Sequence, residues 1–319
     1  MTISTATTKS NVAVKLVGFI LIPLYTDAEY FSTADYGLMG LLEVTSQILI
    51  AVMGLSLYSG LIRWYWDAEY RDKQKTIFFT TLLFTILTSL CIGSVLWLNV
   101  GELSALLVQQ EGYSLGGELP YILQLLILTS MLGAVVEVPQ NLLRLQRKPI
   151  YYSLTNIVRL FATLVLTIYF TISLHRGVSG VYEAQLVGLV IQLLMVLPLV
   201  IKNSSCRVDR KFTIQLLAYS YPLVFPAIVG SLLTVFDRYI INHFQGLDDV
   251  GFYSLGYKVG NTLKVFIVTS VQLALTPLLM KKMNDPDNKR FYSKVLTYFS
   301  FGLIRFRHNM QSGHGKGVG

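Results

Sequence analysis

Four charged side chains lie inside apolar stretches of this 319-residue chain: Lys15, Glu43, Arg159 and Lys258. A charge at the centre of a bilayer costs on the order of 3 kcal/mol on insertion scales, so such residues face one another, water or a charged ligand. Residues three and four apart share a helix face, and each of the four lies on a polar stripe. Ser4, Thr8, Asn11 and Lys15 form the first stripe; Glu43, Ser46, Gln47 and Gly54 form the second. Tyr152, Asn156, Arg159 and Thr163 form the third, and Lys258, Asn261, Thr262, Thr269, Gln272 and Thr276 the fourth. Together they predict a wet cavity between helices. The uncharged members equally suit helix-to-helix hydrogen bonds worth about 0.6 kcal/mol each, and the charged members interhelical ion pairs. Lys15, Arg159 and Lys258, with Lys264 and Arg238 beside them, outnumber Glu43, so the cavity suits an anionic group such as a phosphate and disfavours a lipophilic cation. Glu43 suits a carboxylate that couples transfer to a proton or sodium ion, or one paired with Lys15. Asp237 and Arg238, at a helix end, also read as an interfacial anchor. Glu137 and Arg144, seven apart, read as a simple pair or a snorkelling edge.

The elements that hold these residues follow from composition. The chain is 53% hydrophobic and 14% charged, with a mean hydropathy of +0.55, far from the roughly 25% charged residues of a soluble domain. It is a membrane protein. The net charge of +8 is spread in short clusters between apolar runs, which points to anionic lipid headgroups and away from nucleic acid. Cys91 and Cys206 give neither a disulfide framework nor a metal spacing. No phosphate-binding loop, H-E-x-x-H or C-x-x-C motif is present, so no metal and no cofactor are expected. An enzyme would need titratable groups converging at one surface. The longest loop of one side, around 99 to 119, offers only Glu102, Glu111 and Glu118; the expectation is that the chain is not an enzyme. The N-terminus lacks the pattern of a signal peptide.

A helix crossing roughly 30 Å of hydrocarbon needs about 20 residues. Eight spans are expected, at 5–25, 36–60, 76–98, 120–140, 150–174, 181–201, 213–240 and 251–278. A ninth begins near Lys294 and stops at Arg305 and Arg307, which reads as a re-entrant end or as a chain cut short or shifted in frame. The fold expected is all-α: a six-helix bundle over 1–201, a basic linker over 202–212, the start of a pseudo-symmetric second bundle over 213–304, and a polar tail over 305–319. With the N-terminus in the cytoplasm, the loops on that side hold sixteen Lys or Arg, among them Arg71, Lys73, Arg147, Lys148, Arg207, Lys211 and Lys282; the opposite loops hold Arg176 alone. That asymmetry orients the protein.

The sequence also repeats itself. "ADYGLMGLLE" and "DDVGFYSLGYK" place Asp35 over Asp249 and Gly37 over Gly251 at an offset of 214, with Tyr25 over Tyr239. An acidic residue in the first turn of a helix suits the helix dipole, so Asp35 and Asp249 read as caps before ligands. The copies join helices one and two, and helices seven and eight, the plan of a parallel six-helix repeat.

The stretches "ILIPLYTDAEYFSTADYGLMGLLEV", "LLRLQRKPIYYSLTNIVRLFATL" and "YSYPLVFPAIVGSLLTVFDRYIINHFQGLDDVGFYSLGYKV" resemble the polysaccharide-export flippases, in the exporter superfamily that also holds the lipid II flippases and the multidrug and toxin extrusion proteins. The resemblance runs to about residue 300. It implies two bundles around a cavity that opens to either side in turn. It implies transfer of an undecaprenyl-diphosphate-linked oligosaccharide across the bacterial cytoplasmic membrane for O-antigen, capsule or exopolysaccharide, next to other polysaccharide-assembly membrane proteins. Lys15, Arg159 and Lys258, then Lys264 and Arg238, are the residues placed to hold the diphosphate; Glu43 is the coupling-ion candidate; Asn11, Gln47, Asn156, Asn261 and Gln272 are the polar lining. A cation-coupled exporter of drugs or small molecules and, further off, a membrane glycan polymerase or ligase remain as alternatives.

Overall fold

The computed structural model describes residues 22–25, 27, 29–107, 117–264, 293, 294, 297, 300 and 301. Among them, all regular structure is helical: α1 Ile22–Tyr25, α2 Thr33–Gly54, α3 Leu57–Trp64, α4 Gln74–Leu98, α5 Val100–Leu107, α6 Leu119–Leu145, α7 Pro149–Ile168, α8 Gly177–Asn203, α9 Arg210–Phe244 and α10 Leu247–Lys264. A 3₁₀ turn, Ala68–Lys73, precedes α4, and a π turn, Tyr169–Ser173, extends α7. Six segments of the described residues are long and apolar enough to cross a membrane. The protein is an all-α, multi-pass membrane protein. Most of the first expected span, the later part of the eighth and nearly all of the ninth lie outside the described residues.

The chain divides into two compact units, Met1–Val259 and Gly260–Gly319. In the first, α6 is the central post: it packs on α2, α4 and α8, while α7 packs on α8 and α9 lies along α2 and α3. Two apolar cores form. One, at the Asp35 end, gathers Leu38, Leu41, Leu126 and Tyr182 with Leu247 and Val250. The other, at the Lys73 end, gathers Leu57, Leu61, Phe78 and Leu142 with Phe212 and Leu216. Each core thus joins helices of the first six spans to those that follow: the first to α10 and, through Tyr239 and Ile241, to α9, the second to the start of α9.

Between the cores the second expected span is interrupted. Leu55 and Ser56 adopt left-handed backbone conformations, φ 43° and 52°, at a cost of roughly 1–2 kcal/mol per residue. A carbonyl left unpaired in hydrocarbon would cost more. The Met53 carbonyl, at the end of the interrupted helix, accepts from Thr88 Oγ1 of α4 at 2.8 Å. At the start of the same helix, Ser32 and Asp35 form a reciprocal capping box, with Ser32 Oγ accepting from the Asp35 amide at 3.1 Å and Asp35 Oδ2 accepting from the Ser32 amide at 2.9 Å. Asp35 is a cap, as its place in the repeat suggested.

Candidate functional site

Glu43 sits on α2 two turns beyond Asp35, and Lys258 sits on α10 at nearly the same depth of the second copy. The fold brings the two together. Their charges lie within electrostatic reach of each other, and Tyr25, Tyr36 and Tyr182 lie within reach of the same carboxylate. The Lys258 ammonium lies 5.3 Å from the ring centre of Tyr25 and 5.8 Å from that of Tyr36, within the range of a cation–π attraction. Tyr25 is itself fixed edge-on by Phe31, centroids 5.5 Å apart. Arg238 of α9 completes the group. It is buried, donates to the Gly40 carbonyl at 2.9 Å and covers the ring of Tyr257 at 5.1 Å. Its neighbour Asp237 accepts from the Tyr253 hydroxyl. Two residues on from Glu43, Thr45 and Tyr239 share a 2.7 Å hydrogen bond, and the exposed Gln47 lies one turn on from Glu43 on the same helix.

Arg159 lies elsewhere. Its guanidinium donates to Gln192 Oε1 at 3.2 Å, and Gln192 donates to Asn156 Oδ1 at 3.2 Å. Asn156 donates to Gln140 Oε1 at 3.3 Å, and Gln140 to Thr155 at 3.0 Å. The chain runs across α6, α7 and α8, inside the first six spans. So the expected basic residues form two groups: Lys258 with Arg238 and Glu43, and Arg159 with its amides. Asn261 is exposed and Lys264 ends α10, both in the second unit, while Lys15, Asn11 and Gln272 lie outside the described residues. Arg144 makes no ion pair with Glu137; it donates to the Tyr152 hydroxyl and lies 4.6 Å from that ring. The tyrosines and both glutamines were missed from sequence. Applying the polar-stripe test to "VEVPQN" and "LVIQLL" would have found Gln140 and Gln192.

A family profile described as polysaccharide biosynthesis protein matches residues 4–283. The chain belongs to this family. Among solved structures, it is similar to an inward-facing multidrug resistance MATE family transporter of the MOP superfamily, at 15% identity and a TM-score of 0.63 over 94% of this chain and 69% of that one. It is also similar to a MOP superfamily transporter from Pyrococcus furiosus described by the reversed polarity of its binding pocket, at 15% identity and 0.60 over 94% and 71%. A third is the Vibrio cholerae MATE transporter VcmN, at 16% identity and 0.59 over 87% and 63%. These likenesses carry the fold, and this chain spans between 63% and 71% of the three chains. No curated protein matches it in sequence.

At the Lys73 end a polar latch ties α9 to the loop before α4. Lys73 meets Asp209 at 2.8 Å and Lys211 meets Glu69 at 2.5 Å. Asp209 also caps α9 by accepting from the Phe212 amide at 3.1 Å. The Lys73 ammonium first, then that amide, hold the Asp209 carboxyl below its usual range. A depressed carboxylate stabilises above its unfolded value and loses that effect as pH falls through the folded one. Asp209→Ala is expected to cost about 1 kcal/mol, most of it the cap, because an ion pair this open to water adds little. The melting difference from the parent, measured in detergent, should be full at pH 6 and fade below about pH 4.

Proposed function

We propose that this chain moves an undecaprenyl-diphosphate-linked oligosaccharide across the bacterial cytoplasmic membrane by alternating access. The observation that carries this reading is the Lys258 ammonium, set between two tyrosine faces and opposed by Glu43, with Arg238 beside it. Aromatic faces hold a cation loosely, whereas a diphosphate offers charge-assisted hydrogen bonds about twice as strong as neutral ones. An entering diphosphate therefore competes with Glu43 for Lys258. Lys15, Lys264 and Arg159 are proposed to line the same route, with Asn11, Gln47, Asn156, Asn261 and Gln272, and Glu43 to take up a proton or sodium ion when Lys258 turns to cargo. The first bundle is proposed to span 1–201, and the second to begin at 213 after the basic linker. The loop charges support a cytoplasmic N-terminus. Deleting the gene should leave undecaprenyl-linked units on the cytoplasmic leaflet and deplete surface polysaccharide; normal surface polysaccharide in that strain would refute the proposal.

One observation favours a second reading, export of a cationic small molecule. The Glu43 side chain is exposed, with Tyr25 and Tyr36 within electrostatic reach, a setting that also suits an organic cation. The two readings divide on mutation. Glu43→Gln should abolish export of a cation while Lys258→Ala spares it; for the lipid-linked cargo, Lys258→Ala is the damaging change.

A further inference from the structure

The repeated entrances of α2 and α10 touch each other, and the contact obeys the repeat. The offset of 214 that carries Gly37 to Gly251 also carries Thr33 to Leu247 and Gly40 to Ser254. A Cβ added to Gly37 would lie 1.9 Å from the Leu247 carbonyl oxygen and 3.0 Å from the Gly251 nitrogen. A Cβ added to Gly251 would lie 2.4 Å from the Thr33 carbonyl oxygen, and one added to Gly40 2.4 Å from Ser254 Oγ. Shifted by the offset, the pair Gly37–Leu247 becomes Gly251–Thr33, and the pair Gly40–Ser254 becomes itself. That is the signature of a two-fold, self-complementary interface, here formed within one chain, with its axis at Gly40 and Ser254.

Backbone meets backbone at this crossing. Small residues allow such an approach between helices, and a gap of about 0.5–1 Å already forfeits a quarter to a half of the attraction across it, so a small parting is enough to loosen the contact. We propose that it is the seal of the Asp35/Asp249 end: α2 and α10 close there through Gly37, Gly40, Gly251 and Ser254, and access to the Glu43–Lys258 group from that end requires them to part. This rests on the alternating-access reading. The Ser254 hydroxyl fits the role, being buried without a hydrogen-bond partner among the described residues. An unsatisfied buried hydroxyl disfavours the closed form and leaves it separable. Just inward, the symmetry ends: Lys258 replaces the position equivalent to Val44, and Tyr257 the one equivalent to Glu43. The seal is thus common to both copies, and the charge group beneath it is not.

The test is thiol labelling of intact cells. Cys91 and Cys206, both exposed, are replaced by serine, and Gln47→Cys reports access with a membrane-impermeant maleimide added outside. Gly37→Ala and Gly251→Ala should each speed labelling several-fold. Gly256→Ala is the control, because a Cβ there meets nothing within 4 Å, and it should leave the rate unchanged. Ser254→Ala, which removes the unbonded hydroxyl without adding bulk, should slow labelling, and it keeps the test open if an alanine at Gly37 prevents folding. Equal rates in the parent, Gly37→Ala and Ser254→Ala would overturn the seal. Faster labelling in Gly37→Ala without any movement of lipid-linked sugar would uphold the seal and overturn the transport reading instead.

Discussion

Lys258→Ala is expected to slow delivery of lipid-linked sugar to the external leaflet between about tenfold and a hundredfold. A hydrogen bond between charged groups contributes about 1.5–3 kcal/mol, and each 1.4 kcal/mol is a factor of about ten. The remaining cation of the group cannot compensate, because Arg238 is buried and committed to the Gly40 carbonyl and to Tyr257. Lys258→Arg should retain most of the rate, since a guanidinium both stacks on aromatic faces and binds phosphate oxygens. Reconstituted vesicles carrying a labelled polyprenyl-diphosphate sugar give the measurement. A Lys258→Ala protein that keeps the parent rate would remove Lys258 from the cargo path.

The same residues mark what the sequence could and could not convey. Glu43, Arg159 and Lys258 stood out because an ionised side chain in an apolar run has few physical reasons to be there, and the helices around them followed from length and hydropathy alone. Their partners did not follow. Periodicity assigns a residue to a face of its own helix and is silent on which helix that face meets, so Glu43 was set against Lys15 and not against Lys258, and Arg159 was grouped with Lys258, whereas its hydrogen bond runs to Gln192 and through it to Asn156. The tyrosines around Lys258 were invisible for a related reason: an aromatic residue in a membrane helix is as ordinary in a core as in a site. The break at Leu55 and Ser56 follows Gly54, a residue too common in membrane helices to announce it. It depends on a hydroxyl 33 positions away, Thr88, which supplies the hydrogen bond that makes the break tolerable. Asp35 was legible as a cap because capping is local. Gly37 and Gly251 were legible as a repeat, but their contact was not, because an offset in sequence says that two segments are alike and leaves open whether they meet.

Phe212→Ala is expected to destabilise the protein by about 3 kcal/mol, the lower end of the range for losing a buried phenyl group. The lower end applies because lipid is as apolar as the core, so what is lost is packing more than removal from water. Phe212 is fully buried and edge-on to both Trp64 and Tyr70, centroids 5.9 and 5.5 Å away, and edge-to-face pairs add to area burial. Tyr70 is placed by its hydroxyl, which donates to Gln215 of α9 at 2.6 Å, and one turn along Leu216 fills the space left by Gly60. Removing the phenyl therefore loosens the two rings, Trp64 and Tyr70, that hold α9 to α3 and the loop before α4. Phe225→Ala, on the same helix but 74% exposed, should change stability little. Unfolding of the two variants in mixed micelles, followed by tryptophan emission, separates them. Equal loss in both would mean that the lipid-facing side of α9 carries as much stability as its packed side; loss confined to Phe212→Ala means that α9 is fastened through its buried face at this end, where the polar latch and the aromatic core coincide.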